Sequence, residues 1–239
     1  MAVAGAGAVG LAAYAVNGRS STLLAPSVYR GPRNRDAYSL TFDDGPSEST
    51  PRLLDLLDSH GVTATFFLLG ANVRRLPNVA REILRRGHEV GNHGDRHPYY
   101  SFQSPRFVYD DIVAGQRCIE DTLGFSPWLF RPPFGLRWPG MREAQRRCGL
   151  IGVQWTVMSR DWSLPAEGIA DRLVDGLKPG AILCLHDGRE LKVRPDIRNT
   201  ITAVRAFLLH RGSEDFRAAT ISELFAPELL QDEQALARG

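Results

Sequence analysis

Two adjacent aspartates, Asp43 and Asp44, end the apolar run Ala37-Tyr38-Ser39-Leu40-Thr41-Phe42 and stand directly before Gly45-Pro46. The run reads as a short buried strand. Gly-Pro ends it, because Pro46 has no N–H for a ladder and Gly45 permits a sharp turn. Two carboxylates delivered together to the rim of a buried strand repel, and desolvation raises the cost. Such a pair is kept where a cation neutralises one member or where the two do chemistry. A second feature lies downstream. His93 and His97, two of the chain's six histidines, are spaced i, i+4 within Gly91-Asn92-His93-Gly94-Asp95-Arg96-His97-Pro98. On one helical turn that spacing puts both imidazoles on the same side, a common way to offer two nitrogens to a metal. One Asp and two His make three protein ligands and leave positions open for water and substrate, which is the stoichiometry of a catalytic rather than a structural metal site.

The elements that must position these groups alternate along the chain. Strands are expected over Ala37–Phe42, Thr63–Leu69, His88–Asn92, Trp128–Arg131, Ile151–Val157 and Ala181–Leu185, with a last short one near Phe216–Thr220. Helices are expected between them: one capped by Thr50 with Pro51 at its first position and stopped by Gly61, one opened by Pro77 and closed by Gly87, and a long one from Ser104-Pro105 to Gly124. Three more run from about Gly140 to Cys148, from about Ala166 to Leu177, and over Asp196–His210 with Gly212 after it. Strand and helix in alternation argue a parallel sheet. About seven strands without a dinucleotide glycine fingerprint favour an irregular (β/α) barrel over a doubly wound sheet. Asp43-Asp44, His93/His97, Arg131, Asp161 and His186 each fall just after an apolar strand, at the C-terminal rim where barrel active sites assemble from separate loops.

The whole chain sets bounds. Its 239 residues suit one large α/β domain or two small ones, and 43% apolar residues are ample for a core. The net charge of +2, with both signs interspersed, marks no nucleic-acid surface. Cys118, Cys148 and Cys184 lack C-x-x-C spacing and make neither a disulfide framework nor a thiolate zinc site; Cys184, in an apolar strand, reads as a small core residue. Residues 2–16 form a weakly apolar stretch, short for a ~30 Å hydrocarbon core. It reads as a signal peptide or clipped membrane anchor, with a flexible leader as the competing reading. The first predicts a secreted or anchored protein facing the cell wall, the second a cytoplasmic one. Residues 17–36 read as a linker, so 1–36 form leader and linker and 37–239 the catalytic domain.

The motifs together resemble the polysaccharide deacetylase family, also known as the NodB-homology domain or carbohydrate esterase family four, from about Tyr38 to Phe225. The resemblance implies a general base at Asp43 and a metal ligand at Asp44, from Thr41-Phe42-Asp43-Asp44-Gly45. It implies two further ligands at His93 and His97. Arg131-Pro132-Pro133-Phe134 is similar to a motif whose Arg orients the base and whose aromatic residue lends its backbone N–H to an oxyanion hole. Asp161-Trp162 resembles a motif whose Asp tunes the acid and whose Trp walls the acetyl pocket. Leu185-His186 resembles the last, supplying an apolar wall and the general acid. Four positions depart from the family pattern. Gly94 stands where Ser or Thr usually braces the histidine loop, which predicts a looser loop. Met158 replaces an Asp, Phe134 the commoner Tyr, and Cys184 the usual Leu.

The chemistry of these residue types agrees. A divalent ion on Asp44, His93 and His97 would polarise an amide carbonyl and lower the pKa of water toward ~7. Asp43 can take the water proton, with Arg131 holding it ionised and aimed. The oxyanion would rest on the ion and on a backbone N–H near Phe134. His186 can protonate the leaving amine, and Asp161 can fix its tautomer and raise its pKa. Zinc, cobalt, nickel or iron suit the ligands, zinc foremost. The expected partner is an acetylated glycan, peptidoglycan or chitin-like; nucleic acid is not expected, and membrane contact only through an N-terminal anchor. N-deacetylation, O-deacetylation and small-molecule C–N hydrolysis all remain open at this point, because pocket loops rather than the metal centre decide among them. So do two rivals: a non-haem iron oxygenase using the same Asp and two His, and a glycan-binding module without catalysis.

Overall fold

The apolar run before the two aspartates becomes the central strand of one curled sheet. The computed structural model describes residues 2–210 and 215–225; Gly212, expected to stop a helix, and residues 226–239 of the expected domain lie outside the described residues. The strands are β1 (Ser27–Val28), β2 (Ala37–Gly45), β3 (Thr65–Leu68), β4 (Glu89–Asn92), β5 (Leu129–Phe130), β6 (Ile151–Val153), β7 (Val157–Met158), β8 (Ala181–His186) and β9 (Arg217–Ala218). Their order is β1-β6-β5-β4-β3-β2-β8-β7, with β9 also on β2, and every pairing is parallel.

Parallel neighbours require crossovers. These are supplied by α2 (Thr50–Ser59), α3 (Gly70–Arg75), α4 (Pro77–Arg85), α5 (Pro105–Leu123), α6 (Met141–Cys148), α7 (Ala166–Gly176) and α8 (Arg198–Leu208); α9 (Ile221–Leu224) follows β9. The capping signals act locally as expected at α5, where the Ser104 hydroxyl accepts from Phe107 N and Gly124 closes the helix in a left-handed conformation. Thr50 differs. It lies inside α2, and its hydroxyl donates to Asp187 Oδ2 at 2.6 Å instead of capping.

The stretch expected as one strand, Ile151–Val157, is divided, and the division curls the sheet. Gln154 N donates to the Val28 carbonyl and Thr156 N to that of Ile182. The chain thus passes from the β1 end of the sheet to β8 within three residues, producing the irregular barrel. Strand alternation sorts the side chains. Leu40, Phe42, Leu183 and Leu185 face the helices in the main core; Phe67, Leu129, Val153 and Ile182 fill the barrel.

Within residues 17–36, read from sequence as a linker, Ser27–Val28 pairs with β6, and Ala25 and Val28 are buried. Buried Arg137 donates to the carbonyls of Gly18 and Arg19 and to Ser27 Oγ. Residues 2–17 form the helix α1. Among the described residues, no helix is long and apolar enough to cross a membrane.

Candidate metal centre and catalytic cavity

Consecutive residues of a strand point to opposite faces, yet Asp43 and Asp44 line the same cavity. The local backbone explains it. Asp44 has a left-handed φ of 72°, and the β2–β3 register shifts between Asp43 and Gly45. Such a bulge re-aims a side chain at a strand end. The cavity, about 480 Å³, opens at the C-terminal rim and is also lined by His93, His97, Tyr99, Phe134, Trp155, Met158, Trp162, His186 and Glu190.

Asp44 Oδ1 lies 3.5 Å from His93 Nε2 and 3.2 Å from His97 Nε2. His93 Nδ1 lies 2.6 Å from the Arg131 carbonyl. A carbonyl only accepts, so that nitrogen carries a proton and Nε2 is the nitrogen turned toward Asp44. Burial pushes His97 down to about 4, against the pull of Asp44, so its imidazole is neutral at pH 7. Burial also works against the Asp44 charge. The His93 contact and the nearby His186, His97 and His93 rings overcome it and hold the carboxyl well below the usual range. Asp44 Oδ1 is buried with no hydrogen-bond partner, while Oδ2 accepts from Glu190 N at 2.9 Å. An ionised carboxylate oxygen left without a hydrogen bond between two imidazole nitrogens is costly alone and fits a divalent cation. The ligand atoms of Asp44, His93 and His97 lie within 4.8 Å of one another.

The two histidines do not converge from a helical turn, as their spacing suggested. Residues 93–97 form a loop after β4, with positive φ at Gly94 (84°) and His97 (60°). Nor is the loop left unbraced by the lack of a hydroxyl at Gly94. Asp111 of α5 accepts from Asp95 N, Arg96 N and the Tyr100 hydroxyl, and Asn92 Oδ1 accepts from Gly94 N. A Cβ at Gly94 would meet Asp111 Oδ2 at 2.6 Å, so the space that a Ser or Thr would need is taken by the brace itself. Asp111 carried no signal in the sequence.

On the other side of Asp44, Arg131 is fully buried and donates from Nη1 to Asp43 Oδ1 at 2.7 Å and to Thr41 Oγ1 at 2.7 Å. Its Nε donates to the Val153 carbonyl and its Nη2 to that of Gln154. The guanidinium lies 4.2 Å over the Phe67 ring. A buried, hydrogen-bonded ion pair is expensive to break, by about 3–5 kcal/mol when one partner is removed. Cys184 Sγ lies 3.4 Å from Asp43 Oδ2. Burial and the Asp43 charge push its thiol well above the usual range, so it stays protonated and donates to the carboxylate. Cys184 is thus more than a core residue; its i, i+2 spacing from His186 on β8 was the available clue. Asp43, Cys184 and His186 also place ligand atoms together, but Arg131 and this thiol already engage Asp43.

His186 stands beside Asp43 on the neighbouring strand β8 and lines the same cavity. Its Nδ1 lies 2.7 Å from Asp161 Oδ1, and its backbone N donates to Asp161 Oδ2. Burial works against charge on His186, but Asp161 pushes its pKa up to about 9. Asp161 is itself buried, yet the His186 charge and hydrogen bond bring it down to about 2. Ser159 and Thr200 donate to its two oxygens, and Arg189 Nη2 lies 3.5 Å away. None of these three was singled out from sequence.

Trp162 stands edge-on to His186 at 5.3 Å and lines the cavity, as does Phe134. Phe134 holds a left-handed φ of 57°, with its ring against His97 at 4.4 Å. Leu185 does not join them. It is fully buried among the side chains that face the helices, because alternation along β8 turns it away from the side that carries Cys184 and His186. Its loss would cost stability, about 2–5 kcal/mol on truncation to Ala, rather than pocket shape.

Residues 30–153 match the polysaccharide deacetylase family model. The chain belongs to the polysaccharide deacetylase family. That membership sets aside the oxygenase reading. Peptidoglycan-N-acetylglucosamine deacetylase PgdA of Listeria monocytogenes is 35% identical over 211 residues, 87% of this chain but 43% of that protein; the chain spans less than half of that relative's length. A Bacillus cereus peptidoglycan-N-acetylglucosamine deacetylase is 36% identical over 81% of this chain and 90% of that protein. The crystal structure of the Bc1960 peptidoglycan N-acetylglucosamine deacetylase superposes with a TM-score of 0.76 at 30% identity, covering 82% of this chain and 91% of that one.

Proposed function

We propose that the protein is a metal-dependent hydrolase that removes N-acetyl groups from an amino-sugar polymer or oligomer, peptidoglycan or chitin-like. One observation carries the reading: the bare Asp44 Oδ1 faces two imidazole nitrogens while Asp43 and His186 line the same cavity. Asp44, His93 and His97 would hold the ion, which supplies Lewis acidity to the amide carbonyl and acidity to the attacking water; zinc, cobalt, nickel and iron suit these ligands.

Asp43 accepts the proton of the attacking water as its oxygen bonds to the acetyl carbon. Arg131 and Cys184 hold the carboxylate in place for this transfer. The carbonyl π electrons move onto oxygen, and the Phe134 backbone N–H stabilises the charge. His186 then gives its Nε2 proton to the sugar nitrogen as the C–N bond breaks, leaving acetate and a free amine. At pH 7 a His186 held near 9 carries that proton. Trp162 and Phe134 wall the acetyl group from bulk water. Ligands, base and acid are all present, which favours an enzyme over a binding module. The relatives named above act on peptidoglycan N-acetylglucosamine, which favours N- over O-deacetylation.

Acetate release from chitooligosaccharide, N-acetylated peptidoglycan and an O-acetylated glycan lacking N-acetyl groups tests the reading. Release from the first two is expected. Release from the O-acetylated glycan alone would make the protein an ester hydrolase, and binding without release would make it a glycan-binding module.

A further inference from the structure

Two loops run side by side at the mouth of the cavity and pair their aromatic residues twice. The Tyr99 ring stacks on Phe134 with centroids 3.8 Å apart and an interplanar angle of 6°; both line the catalytic cavity. Three and four residues further along, Phe102 meets Trp138 at 5.7 Å and 57°; neither belongs to the cavity lining. Three residues of chain reach at most about 11 Å, so the outer pair stands within a short oligosaccharide's length of the inner one.

The outer pair is built to hold a ring outward. Phe102 is 94% exposed. It occupies the third position of the turn closed by Gln103 N donating to the Tyr100 carbonyl, with φ of 67°, where glycine is normally preferred. Trp138 packs against a buried cluster that includes Tyr100, Val108, Ile112 and Met141, and its Nε1 donates to the Gln103 carbonyl at 2.9 Å, fixing the turn that carries Phe102. Tyr99 is 61% exposed beside it. Large exposed aromatics joined to a functional cavity mark a binding surface. The axial C–H face of a pyranose is apolar and weakly positive, and it complements the negative face of an aromatic ring.

We infer that Phe102 and Trp138 form a sugar-stacking subsite outside the catalytic cavity, where an amino-sugar chain running past Tyr99 rests a unit remote from the one being deacetylated. The inference rests on the proposed glycan substrate. It makes the protein a reader of chain length: oligomers long enough to reach the outer pair are processed better than short ones.

The test uses N-acetylglucosamine oligomers from dimer to hexamer with wild type, Phe102→Ala and Phe102→Trp. In wild type kcat/KM should rise with length. Phe102→Ala should lose about three- to tenfold on the hexamer and nothing on the dimer, and Phe102→Trp should restore the loss. Calorimetric Kd values on the same proteins read the subsite without turnover. A length-dependent loss of binding without acetate release from any oligomer would uphold the subsite and remove the deacetylase reading. Equal losses at all lengths, or none, would overturn the subsite while leaving that reading intact. Sedimentation of wild type and Phe102→Ala guards against another occupant: a change of oligomeric state with unchanged length dependence would make the patch a self-association face and overturn the inference.

Discussion

Two groupings of Asp with His meet at one cavity and are set differently. In the first, one carboxylate, Asp44, faces two imidazoles. His93 has its proton on the far nitrogen, against the Arg131 carbonyl, and His97 is driven down to about 4 by burial. In the second, one carboxylate faces one imidazole. Asp161 accepts the proton of His186 directly at 2.7 Å, and His186 rises to about 9. The residue types are the same. What differs is the ratio of imidazole to carboxylate, and whether every carboxylate oxygen finds a hydrogen-bond partner. The first arrangement leaves an oxygen without a partner and suits a cation; the second completes its hydrogen bonds and suits a proton.

The largest expected effect comes from breaking the first grouping. His97→Ala removes a neutral nitrogen donor, so elemental analysis should find little metal per chain. The value of kcat/KM should fall by about 10³-fold or more, since Lewis-acid stabilisation is worth several kcal/mol. Wild-type metal content in this variant would remove His97 from the site. Asp43→Asn comes next. The amide keeps the shape but cannot take a proton, so metal should stay while kcat falls by ~10²–10⁴-fold. Loss of the ion instead would exchange the roles of the two aspartates.

Asp161→Asn sharpens the second grouping. The raised pKa of His186 means the acid is protonated below about 9 and is lost as pH rises through that value. Without the Asp161 charge, burial is opposed only by the more modest pull of Asp44 and Asp43. The alkaline limb of kcat/KM should move from near 9 toward or below about 6.5, with metal content unchanged. An unmoved limb would mean that Asp161 does not set the acid. Cys184→Ala should have the smallest effect. It removes one weak donor from Asp43 while Arg131 remains, so kcat should fall by roughly two- to tenfold, with metal retained and Cys184→Ser recovering activity.

The barrel was legible because its determinants are local. Alternating strand and helix signals, with Pro and Gly at their ends, placed β2, β4, β5 and β8 and the rim positions after them. The division of Ile151–Val157 was not legible, since it depends on Thr156 finding Ile182 across the barrel. Ligand types were readable at Asp44, His93 and His97, but the geometry that joins them was not. That required the left-handed turns at Asp44 and His97 and the brace from Asp111, eighteen residues beyond His93 on a separate helix. Leu185 was misplaced because a motif names neighbours in sequence, whereas alternation sends neighbours to opposite faces. Tyr99 and Phe102 gave no signal because they belong to an irregular loop.

The direct test of the division between an ion-holding and a proton-holding grouping is a metal titration. Chain stripped of metal by a chelator is loaded with increasing zinc, and bound ion and acetate released from an N-acetylglucosamine oligomer are measured in the same samples. Turnover should rise in proportion to bound zinc and level off at about one ion per chain, the stoichiometry of one three-residue site. Full acetate release from metal-free chain would contradict the account.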